Sequence, residues 1–150
     1  MFSKSRGYTL TEMMVVVAII GILAAIAYPS YTQHLATSRR ADAQGALLGL
    51  AGAMERFYTV HSTYEGAATA EKKPASELRY SDTVPVSGGT ATYELAIEDA
   101  TANSFTVWAT PVDVQAKDPC GTLTLTSAGV RGITDKPADS TMTKSDCWRN

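Results

Sequence analysis

Gly7-Tyr8-Thr9-Leu10-Thr11-Glu12, followed without a gap by MMVVVAIIGILAAIAYPSY to Tyr31, is the stretch on which the reading of this chain turns. A short leader with Lys4 and Arg6 precedes it, and no Asp, Glu, Lys or Arg follows Glu12 until Arg39. A helix rises about 1.5 Å per residue and a bilayer core takes ~20 mostly apolar residues, so Met13 to Tyr31 approaches a full span. The basic leader would hold the N-terminus in the cytoplasm and leave the rest of the chain exported. A secretory signal carries its small-residue cleavage site after the apolar run. Here the small residue, Gly7, comes before it, so cutting at Gly7 removes the charges and keeps the helix.

Glu12 is the exception within this stretch. An acidic residue in hydrocarbon costs roughly 2.5–3.5 kcal/mol on insertion scales. A charge in such a place is kept when it is paired. Cleavage after Gly7 creates one kind of partner, a free α-amino group on Tyr8. Glu12 also sits in the first turns of the expected helix, where the dipole favours an anion.

The combination of glycine, aromatic residue, glutamate at fixed offset and long apolar helix resembles the leader junction of type IV prepilins. The resemblance implies that a prepilin peptidase cuts after Gly7 and methylates Tyr8. It implies too that Glu12 pairs with the N-terminal amine of a neighbouring subunit during assembly. Two positions depart from the family's usual pattern: Tyr8 stands where Phe is common, and Thr11 where an apolar residue is common. Both bear on processing rate and helix packing.

Length and charge narrow the classes. The 150 residues fit one domain with an appendage. The net charge is −2 from 13 basic and 15 acidic residues; losing Lys4 and Arg6 leaves 11 against 15, or −4. That excludes a generically basic, nucleic-acid-coating protein, though not a local basic patch. The two cysteines, Cys120 and Cys147, allow one connectivity, and an exported context favours a disulfide. Free or metal-bound thiols are the alternative, but a metal needs more ligands, and His34 and His61 are remote in sequence.

Further along, Leu47, Leu50, Ala51, Met54, Phe57 and Tyr58 recur at helical spacing, with Arg39, Arg40, Asp42, Gln44, Glu55 and Arg56 assigned to the opposite face. The expected helix is apolar all round in its first half and amphipathic in its second. Gly21 and Pro29 are its weak points as helix-breaking residues. The resemblance implies loosening between them in the filament. Polar residues and Gly66 end the helix near His61 to Glu65.

Residues 66–89 read as a long loop. Alternating segments at Tyr93–Glu98, Phe105–Thr110 and Leu123–Thr126, with a short one at Val130–Thr134, read as half-buried strands. Glu98 to Asn103 and Ser127 to Gly129 read as turns. Cys120 to Leu125 through Cys147-Trp148 resembles the C-terminal region of PilE-like minor pilins, a group that includes DNA-uptake pilins.

The expected fold is α+β: a long N-terminal helix with an antiparallel sheet of about four strands on its second half, the type IV pilin fold. The expected parts are a leader (1–7), an apolar helix (8–31) and a head (32–150). The head comprises an amphipathic helix (32–62), a loop (63–90), a sheet (91–134) and a disulfide-bounded tail (120–147). No catalytic constellation, cofactor motif or metal cluster is legible, so neither enzyme activity nor a cofactor is expected.

The expected function is that of a structural subunit of a type IV pilus, of the minor-pilin kind, serving pilus biogenesis, twitching motility and adhesion. Its partners would be other pilin subunits, prepilin peptidase, the inner-membrane assembly machinery and, before assembly, the membrane. A DNA-binding pilin for natural transformation is one alternative, with Arg131, Lys136, Lys144 and Arg149 as candidate contacts and Lys72 and Lys73 as further cations. A type II secretion pseudopilin is another.

Overall fold

A computed structural model describes residues 7–148. Met1 to Arg6, with the leader charges Lys4 and Arg6, lie outside the described residues, as does Arg149. The chain divides into two compact units, residues 1–35 and 36–150. One helix, α1 (Leu10–His61), contributes to both.

In the first unit every residue from Gly7 to His34 is exposed. Ile19, Ile22 and Ile26 are 52%, 64% and 71% accessible, although they are among the most apolar side chains in the chain. In the subunit α1 runs on through Gly21 and Pro29, as the periodic signal beyond Pro29 leads one to expect. Proline removes one i→i−4 donor without forcing the rest of the ladder apart. The Thr32 hydroxyl donates to the Pro29 carbonyl at 2.9 Å within that same turn.

The second unit is built on the amphipathic part of α1. Ala43, Ala46, Leu47, Leu50, Ala53, Met54 and Phe57 are buried at steps of one, three and four residues. They share one core with Tyr93, Leu95 and Ile97, with Phe105, Val107 and Ala109, and with Leu123 and Leu125. Those residues alternate along β2 (Tyr93–Ala100), β3 (Phe105–Pro111) and β4 (Thr122–Thr126). Such alternation puts one face of a sheet in the core and the other in water.

The sheet is an antiparallel meander that runs β1 (Thr83–Val84), β2, β3, β4 and β5 (Arg131–Thr134) in order. It therefore has five strands, not four. The additional strand, β1 (Thr83–Val84), pairs with β2 through Thr83↔Glu94 and Val84↔Tyr93. Two residues are too few to display an alternation, so the sequence shows only loop there. The rest of that loop is packed as well. Its Ser76–Leu78 turn buries Leu78, and the Tyr80 hydroxyl donates to the Ala46 carbonyl of α1 at 2.8 Å.

β2 runs past Glu98, the expected end of the strand, through Asp99 and Ala100, which the sequence places in a turn. The register slips between Ile97↔Val107 and Asp99↔Thr106, which leaves Glu98 as the extra residue of a bulge. β4 and β5 (Arg131–Thr134) form a hairpin whose connection includes Gly129 at φ +74°, a conformation that favours glycine. The tail ends in the short helix α2 (Lys144–Cys147). Its start is fixed by Thr143, whose N–H and hydroxyl both donate to Asp146 Oδ2, at 2.9 and 2.6 Å.

Candidate functional site

The tip of α1 is organised by Thr9 and Glu12. Thr9 is the residue before the first helical position and Glu12 the third residue of the helix. The Thr9 backbone N–H and the Thr9 hydroxyl each donate to Glu12 Oε2 at 2.8 Å. The Glu12 N–H donates back to Thr9 Oγ1 at 3.2 Å. This is a capping box, in which residues three apart satisfy each other's orphaned donors. The T-x-x-E spacing is the sequence signal for this box. Gly7 and Tyr8 lie just outside the helix, and Tyr8 is 84% exposed.

At the other end of the chain Cys120 and Cys147 form a disulfide. Around it the tail is tied to its neighbours by single hydrogen bonds. Gln44 Nε2 donates to the Cys147 carbonyl at 2.7 Å, and Trp148 Nε1 donates to the Gly132 carbonyl at 2.8 Å. Gln44 therefore faces the tail and not solvent.

Asp118, two residues before Cys120, is the centre of a buried polar cluster. Arg40 grips it with two donors, Nη2 to Oδ1 at 2.7 Å and Nε to Oδ2 at 3.2 Å. Gln115 Nε2 donates to Oδ2 at 2.7 Å, the Cys120 N–H to Oδ1 at 2.8 Å, and the Tyr93 hydroxyl also to Oδ2. Burial pushes the Asp118 carboxyl up. The donors from Arg40, Tyr93, Cys120 and Gln115 together outweigh it and hold the group below the usual carboxylate range. The same burial, reinforced by Asp118, drives the Tyr93 hydroxyl well above its ordinary value.

Arg40 is thus not on the solvent face. It continues the apolar stripe three residues before Ala43, and is 7% exposed. Gln115, Asp118 and Tyr93 carried no local signal, because a buried polar cluster is assembled from distant segments.

The cations proposed for DNA contact separate into groups. Lys72 pairs with Glu98, and Lys73 with Asp82 at 2.9 Å. Lys136 donates to the Met142 carbonyl at 3.2 Å and does not line the groove that holds the others. Arg131 and Lys144 do come together. With Gly129, Val130, Ser145 and Trp148 they line an open groove of about 430 Å³. The Arg131 guanidinium lies 5.4 Å from the centre of the Trp148 ring, within cation–π range. His34 is exposed on α1, while His61 at its end stacks on Phe57 and lies 3.4 Å from Glu77. Among the described residues no group of His, Cys, Asp and Glu could hold a metal.

A long exposed apolar helix with a capped glutamate at its tip, joined to a disulfide-bounded antiparallel head, defines a type IV pilin. Comparison places it more narrowly: the chain belongs to the family described as type IV minor pilin ComP, DNA uptake sequence receptor, whose model matches residues 29–124. The prokaryotic N-terminal methylation motif matches residues 2–28. The type IV major pilin protein PilE1 of Neisseria gonorrhoeae is 29% identical, over 98% of this chain and 75% of that protein. A fimbrial protein of Neisseria meningitidis serogroup B is 30% identical, over 81% of this chain and 75% of that protein. The solved structure of the N. meningitidis non-core minor pilin PilV is 20% identical, with a TM-score of 0.47 over 69% of this chain and 93% of that one. The protein is a structural subunit of a type IV pilus, a membrane-anchored pilin that is assembled with other pilin subunits into an extracellular filament.

Proposed function

We propose that residues 8–31 hold the subunit in the inner membrane, with its N-terminus cytoplasmic, until prepilin peptidase cuts after Gly7 and methylates Tyr8. The inner-membrane assembly machinery then extracts the helix into a filament that serves motility and adhesion. Glu12 pairs with the N-terminal amine of a neighbour and fixes axial register. Loosening between Gly21 and Pro29 accompanies the move from lipid to filament.

The observation that carries this reading is the exposure of the entire apolar segment in the isolated subunit. A helix apolar all round is stable in water only when something covers it, first lipid and then other helices. Glu12→Ala tests it. The variant should fold, insert and be cleaved as the natural protein is, yet fail to enter pili. Normal incorporation at equal expression would sink the reading.

A second reading, DNA capture, is favoured by the description of the matched family and by the groove of Arg131, Lys144 and Trp148. Two cations beside an indole offer phosphate contact and a stacking surface. Absence of any binding of duplex DNA to the head at low salt would end it.

A further inference from the structure

Thr9 directs both of its donors to one oxygen of Glu12, and this division of the carboxylate has a use. Oε2 accepts from the Thr9 N–H and from the Thr9 hydroxyl. Among the described residues, Oε1 accepts no hydrogen bond from the chain. We propose that Thr9 is a positioning residue for assembly. It holds Glu12 by Oε2 from within the same subunit, so that Oε1 is presented to the amine of the next. The inference rests on the assembly role proposed for Glu12 and goes beyond it in naming the group that orients the carboxylate.

Three features support it. First, the contact survives processing. Cleavage after Gly7 turns the Tyr8 nitrogen into the free amine, while the Thr9 nitrogen, one residue further in, remains an amide N–H able to donate. Second, the arrangement answers the membrane problem. A carboxylate in or beside hydrocarbon needs partners before any neighbour arrives, and two donors from its own chain supply them. Third, it costs the helix nothing, because the first turn has unsatisfied N–H groups and the Glu12 N–H is satisfied by Thr9 Oγ1 in return. A glutamate side chain has three rotatable bonds. Fixing it before encounter lowers the ordering cost of the intersubunit pair, which is how preorganisation favours association.

The test uses the full chain in piliated cells. Thr9→Val removes the hydroxyl donor and keeps the shape and the backbone N–H; Thr9→Ser restores the donor. Incorporation is read by quantitative mass spectrometry of sheared pili against the membrane pool, with the N-terminal peptide reporting cleavage and methylation. Thr9→Val should be cleaved and methylated normally but incorporated roughly tenfold less, the scale of one charge-assisted hydrogen bond. Thr9→Ser should be incorporated close to the natural level. Infrared spectra of subunits in bilayers, with the Glu12 carboxylate carbon-13 labelled, should show its stretching band shifted in Thr9→Val and not in Thr9→Ser.

Thr9→Val entering pili at the natural level would overturn the proposal. So would a Thr9→Val defect confined to cleavage, or a Thr9→Ser as defective as Thr9→Val. The two readings fail separately. Normal assembly of Glu12→Ala removes the role of Glu12 itself, whereas blocked Glu12→Ala beside normal Thr9→Val removes only that of Thr9.

Discussion

Asp118 shows how much one side chain decides in the head. It receives donors from α1 (Arg40), β2 (Tyr93), the preceding loop (Gln115) and the backbone at the disulfide (Cys120). Removing one partner of a buried ion pair leaves an uncompensated charge, which costs about 3–5 kcal/mol. Asp118→Ala should lower the stability of the head by that amount in denaturant melts, because Arg40 stays buried. Tyr93→Phe should cost only about 1–3 kcal/mol, since Asp118 keeps its other donors. Equal losses in the two variants would mean that Asp118 is not the hub. The pH dependence follows from the sign of the shift. The folded state holds Asp118 below the ordinary carboxylate value, so the unfolded chain takes up its proton first as pH falls. The contribution is complete at neutral pH and disappears on acidification from the ordinary range down through the folded-state value. Denaturation midpoints should be flat near neutrality and fall in acid, with a shallower acid limb in Asp118→Asn.

Two devices fix secondary structure elements against each other. Tyr80 reaches across α1 because Gly49 has no side chain; a Cβ there would lie 2.2 Å from the Tyr80 hydroxyl oxygen. Gly49→Ala raises helix propensity by about 1 kcal/mol but displaces Tyr80 from the Ala46 carbonyl. Global stability should therefore change little, while amide exchange over residues 76–82 accelerates. Unchanged exchange there would show that the Tyr80 bond does not hold the segment. The second device is the Cys120–Cys147 bridge, with a sequence separation of 27. Chain entropy credits a loop of that size with roughly 3–4 kcal/mol. Reduction should lower the melting temperature and release α2 first, because α2 is a four-residue helix at the end of the tail and the bridge is its covalent tie to the start of β4. At this scale the sequence was largely readable. Strands β2 to β5 announce themselves by alternation, and the stripe of α1 by its period. What escaped was short or non-local: the two residues of β1, and the bulge beyond which β2 continues through Asp99 and Ala100. The place of Arg40 did have a signal. Its spacing to Ala43 and Leu47 continues the buried stripe, but its charge argued for the surface.

For the whole molecule, the question is how an acidic chain could also meet DNA. The net charge is −2, and between Cys120 and Cys147 three basic residues face three acidic ones. Arg40 pairs with Asp118, Lys72 with Glu98 and Lys73 with Asp82, each away from the tail groove. Arg131 and Lys144 are the cations that the fold gathers into one groove, beside Trp148. Sequence alone identified these residues as candidates yet could not sort them, because pairing and grouping are properties of the folded sheet. If the groove is the contact, about two phosphates are neutralised, and affinity should fall with a log–log salt slope near −2. That corresponds to about a tenfold loss between roughly 50 and 200 mM salt, far shallower than for a protein with a broad basic face. Lys144→Ala should flatten the slope by about one unit, and Lys72→Ala should leave it unchanged. Trp148→Ala cannot separate stacking from stability, since its indole also holds β5, so the lysine variants carry the test. Titration of fluorescent duplex DNA with residues 36–150 at several salt concentrations measures all three slopes. A slope steeper than about −4 would place the interface on cations outside the groove. A slope near −2 that Lys144→Ala does not change would assign the contact to some other pair.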